Sequence, residues 1–273
     1  MPSTQIQWFP GHMAKTRRMI AENLKKVDLT IEIRDSRIPF SSSNPEIKRL
    51  TDAKPRLVLL SKCSQADPSV TAEWKRYFAE IGENALFYDC KTNEGISEIA
   101  PAARRLCAEK LQSWQGKGME GRHLRAMIVG IPNVGKSSLI NRLAADKKAK
   151  VEDRPGVTLN KQWVTTSIGI DLLDTPGVLW PKFDERRVGE NLAITGAIKD
   201  DIMDTDELAT VLDEKGAGAE VLTVDVDAVI VEMIVHTLIA LVPENTQGHI
   251  GQRRTELSAA DVTVGDGDDL FSL

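Results

Sequence analysis

A single stretch, G-I-P-N-V-G-K-S-S-L-I-N at residues 130–141, constrains this chain more than any other. An apolar run at 126–129 precedes it and reads as a buried strand, and a helical pattern follows. The spacing of Gly130, Gly135, Lys136 and Ser137 fits the phosphate-cradling loop G-x-x-x-x-G-K-[ST]. Glycines there let backbone N–H groups turn inward around phosphate oxygens, with Val134, Gly135 and Ser138 supplying further contacts at the loop and helix start. Lys136 would reach the β- and γ-phosphates, and the Ser137 hydroxyl would ligate Mg²⁺. A chain with this strand, loop and helix is expected to bind a nucleoside triphosphate.

Composition narrows the partners. The chain has 273 residues, 41% hydrophobic and 27% charged, enough for one good core and a smaller accessory domain. A net charge of -5 argues against bulk nucleic-acid binding, but the charge is unevenly spread. Residues 216–273 hold ten acidic residues against Arg253 and Arg254, whereas residues 1–26 hold five basic residues against Glu22. A polyanionic partner should therefore meet the N-terminal part. Cys63, Cys90 and Cys107 lack metal-ligand spacing and read as reduced thiols. Residues 1–10 have no apolar core of a leader peptide, and the apolar run 226–242 is interrupted by Asp227, Glu232 and His236. The expected setting is cytoplasmic, with no membrane partner.

Along the chain, strand patterns at 27–33, 56–60, 85–88, 126–129, 162–167 and 170–173 alternate with helical ones at 13–27, 45–50, 71–81 and 96–114. The alternation predicts an α/β fold, a parallel-type sheet flanked by helices with ligand loops along one edge. Helix 13–27 sets Met13, Ile20, Leu24 and Val27 on one face and Lys15, Arg18, Lys25 and Lys26 on the other. The basic face is either a solvated surface or a dock for RNA phosphates. The expected domains are a nucleotide-binding domain at 1–180, a helical accessory region at 181–247 and a disordered acidic tail at 248–273.

Two further segments complete a site. Asp174 ends a strand in D-T-P-G, where a carboxylate can hold Mg²⁺ through water and the Gly177 N–H can approach a γ-phosphate. Thr158, in R-P-G-V-T, can give a second hydroxyl to the metal. Either segment alone would pass for a plain turn.

Phosphate loop, P-G-V-T and D-T-P-G in this order resemble a translation-factor-type GTPase. The guanine-reading elements that usually follow them lie here ahead of them. S-K-C-S at 61–64 and D-C-K at 89–91 look like N-K-x-D and S-A-K. With W-F-P-G-H-M-A-K (8–15), I-R-D-S-R-I-P (33–39) and G-E-N-L-A-I-T-G-A-I-K-D-D (189–201), the chain resembles a circularly permuted P-loop GTPase of the ribosome biogenesis GTPase A (YlqF/RbgA) family over residues 7 to about 215. The resemblance implies GTP and GDP binding with Mg²⁺, and slow hydrolysis. It also implies the large ribosomal subunit precursor and ribosomal RNA as partners through the basic helix, and a monomer away from the ribosome. It implies that Ser61, Lys62, Ser64, Cys90 and Lys91 surround the base, that Asn133 holds a K⁺ ion, and that His12 acts on the attacking water.

The family pattern is broken in places. Ser61 and Ser64 stand where Asn and Asp would brace the loop and grip guanine, which is expected to weaken guanine preference by about 1–3 kcal/mol. Asp67 is expected to lie too far along to substitute. Val178 and Leu179 follow Gly177 where many GTPases carry a water-orienting Gln. Two rivals therefore stand beside a GTPase: a nucleotide-gated ribosome- or RNA-binding module with negligible hydrolysis or relaxed base choice, and a P-loop kinase, against which the switch-like segments speak.

Overall fold

The computed structural model describes residues 10–119, 121–144, 163–180 and 186–198, with side chains from Arg17 onward and, in the last stretch, from Arg187. The P-G-V-T segment with Thr158, and everything beyond residue 198, including most of the accessory region and the acidic tail, lie outside the described residues.

Helix α1 (Pro10–Leu24) leads into β1 (Leu29–Asp35), α2 (Pro45–Thr51) and β2 (Arg56–Ser61). These are followed by α3 (Pro68–Glu80), β3 (Ala85–Phe87), α4 (Ile99–Leu106), α5 (Ala108–Gln115) and β4 (Leu124–Gly130). The described chain is completed by α6 (Lys136–Leu143), β5 (Trp163–Thr165), β6 (Ile170–Leu173) and α7 (Arg186–Ile194). The strands form one sheet in the order β3-β2-β1-β4-β6-β5, parallel except for β5 at the edge. From β1 the chain works outward to β3, then returns to lay β4 on the other side of β1. The order thus reverses between β1 and β4, which creates the crevice where open α/β sheets bind ligands.

Period-two alternation explains the two layers. Leu29, Ile31, Ile33, Leu57, Leu59, Ala126, Ile128 and Leu172 face a core filled by Ala103 of α4, Trp114 of α5, Leu139 and Leu143 of α6, and Val188 and Leu192 of α7. Met127, Val129 and Leu173 face the other way, against Ile20 of α1 and Ile47 of α2. The first helix of the expected accessory region thus contributes to the same core as the sheet. The α3 aromatics Trp74, Tyr77 and Phe78 pack edge to face or tilted, and Phe78 meets Phe87 of β3.

Several boundaries differ from expectation. The helix expected at 96–114 is broken: a 3₁₀ turn (Ile96–Glu98) precedes α4, and Cys107 (φ -107, ψ 19) separates α4 from α5. Ala103 of α4 and Trp114 of α5 both reach one core. Strand β1 starts two residues late and runs on to Asp35, because its partners continue: Asp35 pairs with Ser61. Val27 instead packs on the α1 side of the sheet. Strand β5 is limited to three residues. Helix α1 begins at Pro10, whose missing N–H costs nothing in a first turn.

A polar network crosses β1 and β2. Arg34, 6% exposed, donates to both Glu32 oxygens (2.9 and 3.2 Å), and Arg56 donates to Glu32 (3.0 Å) and to Glu83. Removing the central carboxylate by Glu32→Leu should strip the buried Arg34 of its hydrogen-bonded partner, with Glu83 4.0 Å away, and leave Arg56 on Glu83 alone. A loss of roughly 3–5 kcal/mol is expected. Urea unfolding checks this, and an unchanged midpoint would show that the network carries no net stability.

Candidate functional site

Strand β4 ends at Gly130, and the chain wraps through Ile131–Gly135 into α6. Asn133 (φ 57) and Gly135 (φ 95) take left-handed backbone conformations, which turn successive N–H groups to one side, the geometry of an anion nest. Lys136 is buried, and its Nζ donates to the Ile131 carbonyl (2.6 Å) and the Gly130 carbonyl (3.3 Å). Desolvation pushes its pKa down to about 8, with Asp174 opposing. Ser137 is partly exposed and Ser138 exposed at the start of α6, whereas Val134 is buried and contributes only backbone.

Asp174 follows β6. Its Oδ1 is buried without a hydrogen-bond partner, and burial raises the carboxyl pKa despite Lys136. An orphaned carboxylate oxygen near a buried lysine suits a hard cation that keeps its waters. Among the described residues no cluster of three acidic, His or Cys side chains could hold a metal alone. Ser137 and Asp174, with phosphate oxygens completing the shell, fit Mg²⁺. Gly177 lies against the phosphate loop: a Cβ there would come within 2.7 Å of the Pro132 N and Cα, so no side chain fits without moving backbone. Val178 donates its N–H to the Gly130 carbonyl (3.1 Å), and Val178, Leu179 and Trp180 are buried as packing groups.

At the end of β2, Ser61 takes on a bracing task. Its Oγ lies 2.6 Å from the Val134 carbonyl and 3.1 Å from the Arg34 carbonyl, tying β2 to the phosphate loop. Lys62, in the left-handed region (φ 61), donates to Asp35 Oδ2 (2.7 Å) and the Asn133 carbonyl (3.2 Å). Burial raises the Asp35 pKa, but bonds from Arg37 and Lys62 outweigh it and hold the carboxyl below its ordinary range. Asp67 is committed elsewhere, capping α3 by accepting from the Ser69 and Val70 N–H groups (2.7 and 3.2 Å). Ser64 is exposed, and its hydroxyl donates to Asp89 Oδ2 (2.5 Å). Cys90 is half-buried and its thiol is pushed up to about 11, so it offers backbone and not thiolate; Lys91 is exposed. The Cys63 N–H donates to the Tyr88 carbonyl (3.3 Å) and holds the two base-side loops together.

His12 lies in the first turn of α1, with its side chain outside the description. Asn133, singled out as a cation ligand, donates its side-chain amide to the Gly196 carbonyl after α7 (2.5 Å). Sequence reading missed Asp35, Asn44 and Asp89 as organising groups. Asn44 caps α2 through Oδ1 and donates from Nδ2 to the Val178 carbonyl (2.9 Å), and Asn191 of α7 donates to Ser41 Oγ (3.0 Å). The strand-end positions of Asp35 and Asp89 were visible signals. The long-range partners of Asn44 and Asn191 had none.

A protein-family model described as a 50S ribosome-binding GTPase matches residues 125–242. The chain is 52% identical over 205 residues to ribosome biogenesis GTPase A of Priestia megaterium, covering 75% of this chain and 71% of that one. With its counterpart from Bacillus pumilus the identity is 48% over 204 residues, 75% of this chain and 72% of the other. The fold is similar to that of GNP-bound YlqF from T. maritima, with a TM-score of 0.55, 24% identity and 73% of each chain covered.

Two outcomes are expected of this geometry. Phosphates should restore the charge of Lys136, so nucleotide binding should take up a proton above about pH 8 and none near pH 6.5, where the amine is already charged. Calorimetry in buffers of different ionisation enthalpy measures this, and a pH-independent heat would contradict it. Because Val178 and Gly196 are tied to groups at the nucleotide loop, hydrogen exchange across 178–198 should differ between GDP and a non-hydrolysable GTP analogue. Identical exchange would sink that link.

Proposed function

The chain belongs to the ribosome biogenesis GTPase A family, and we propose from that premise that it acts on the large ribosomal subunit precursor, using Mg²⁺ and stimulated by K⁺. It is a GTP-hydrolysing enzyme of ribosome assembly with the motif order of a circularly permuted GTPase. The observation that carries the finer reading is the convergence of Lys136, Asp174 and Gly177 on the loop after β4, beside Ser61 and Lys62 at the end of β2.

In this reading the loop N–H groups and Lys136 grip the phosphates. Ser137, Asp174 and Thr158 hold Mg²⁺, which when bound neutralises phosphate charge. The Gly177 N–H meets the γ-phosphate, while Val178 and Leu179, buried as packing groups, leave water orientation to His12. Asn133 would share its amide oxygen with K⁺. Arg18 on α1 and Lys25 and Lys26 in the turn after it are exposed and, with Lys15, supply RNA phosphate contacts in the cytoplasm. Asn44 holds Val178 and Asn191 of α7 holds Ser41, so changes at Gly177 pass to α7 through the 41–44 segment, and the bound nucleotide sets the docked state and hydrolysis releases it. Away from the ribosome the protein acts as a monomer.

The buried Val178 also favours a second reading, a nucleotide-gated binding module with negligible turnover. Single-turnover hydrolysis in K⁺ and in Na⁺, with and without large subunits, separates the two. The GTPase reading expects acceleration by K⁺ and subunits. It also expects a fall of roughly a hundredfold or more in His12→Ala with GDP affinity retained, and subunit binding that drops steeply with salt. Absence of turnover under every condition would favour the module, and lost GDP binding in His12→Ala would assign the histidine a structural role.

A further inference from the structure

The base-side loops contain a carboxylate and a hydroxyl in an arrangement that spacing alone did not suggest. Asp89 is 2% exposed and does not itself reach the crevice, while Ser64 is exposed. The donors around Asp89 come from both loops, the Ser64 backbone N–H among them. Its Oδ1 accepts from the Lys91 N–H (2.6 Å) and the Thr92 N–H (3.4 Å), and its Oδ2 accepts from Ser64 Oγ at 2.5 Å. Burial raises its pKa, but these bonds outweigh burial and hold the carboxyl below its ordinary range.

An ionised carboxylate has no hydrogen to give. The hydrogen in the Ser64–Asp89 contact must therefore be the serine's, and a hydroxyl has only one. Outward, Ser64 Oγ is left with lone pairs alone. A hydrogen bond donated to an anion also enriches the donor oxygen in negative charge, which makes it a better acceptor than a free serine. Lys62, two residues earlier, reaches the Asn133 carbonyl of the phosphate loop, so Ser64 sits on the loop that flanks the nucleotide crevice.

We propose that Ser64 reads guanine as an obligate hydrogen-bond acceptor, its direction set by Asp89, and that this pair replaces the carboxylate expected at position 64. The proposal rests on the reading that the base lies between the loops after β2 and β3. Guanine presents N1–H and N2–H donors on the edge that such an acceptor meets. Adenine presents the N1 lone pair there and no 2-amino group, and xanthine keeps N1–H but sets an oxygen lone pair against the serine in place of the 2-amino donor. Ser64 touches the base, and Asp89 is a positioning residue acting through it.

The pair can be reversed by one substitution. In Asp89→Asn, the Lys91 and Thr92 N–H groups still point at the Oδ1 site, two donors against the single Ser64 N–H, so the amide oxygen stays there and the NH₂ replaces Oδ2 opposite Ser64. Ser64 Oγ must then accept from that NH₂, which frees its own hydrogen to point at the base. The outward group changes from acceptor to donor with no change in shape.

Competition of GDP, XDP and ADP against a fluorescent GDP tests this on the full chain. Wild type should prefer GDP. Ser64→Ala should lose about tenfold of that preference, the worth of one hydrogen bond. Ser64→Thr, which keeps the hydroxyl, should retain it. Asp89→Asn should weaken GDP and strengthen XDP, opposite responses that loop damage would not produce. If Ser64→Ala keeps wild-type ratios, or Asp89→Asn weakens GDP and XDP equally, the pair does not read the base. A wild type indifferent to GDP, XDP and ADP would instead overturn the placement of the base, and the proposal with it.

Discussion

The pairing of β1 with β4, Ile33 opposite Gly130, is the contact on which the rest of the site depends. Through β1 it joins the β2–β3 side of the sheet to the strand that leads into the loop after β4, although 97 residues separate the two positions in the chain. The approach is close enough that a Cβ on Gly130 would lie 2.5 Å from the Ile33 carbonyl oxygen. Only at that separation can Ser61 Oγ reach the Val134 carbonyl and Lys62 reach the Asn133 carbonyl. Permutation of motif order costs the site little because convergence is enforced by strand order.

The permutation has a mechanical consequence. The segment after Asp174 packs its glycine on Pro132, splits Val178 and Leu179 between the two faces of the sheet, and continues toward α7. Asn44, Asn191 and Asn133 then tie this path to the chain following β1 and to the phosphate loop. A side-chain amide suits such junctions because it donates and accepts at once. Asn44 shows this by capping α2 with one end and holding Val178 with the other.

Much of the fold was legible. Apolar runs and alternation located the strands, and the phosphate loop with D-T-P-G located the site edge, because these depend on local spacing. Element ends were not legible. Strand β1 stops where β2 stops, and the 96–114 helix breaks at Cys107, where no glycine or proline marks it. The breaks in the guanine motif were visible as residue types, but their effect was not. Read alone, Ser61 and Ser64 were losses; in place, Ser61 braces the loop and Ser64 is oriented by Asp89.

By itself the sequence determined the loop after β4, since Gly135, Lys136 and Ser137 are consecutive and their spacing from Gly130 is local. It also determined the α/β class and, through the displaced S-K-C-S and D-C-K, the permuted order. Tertiary structure alone decided what the altered base-side residues do. A hydroxyl donates or accepts according to what faces it, and Asp89 faces Ser64 only because β2 and β3 are neighbours in the sheet.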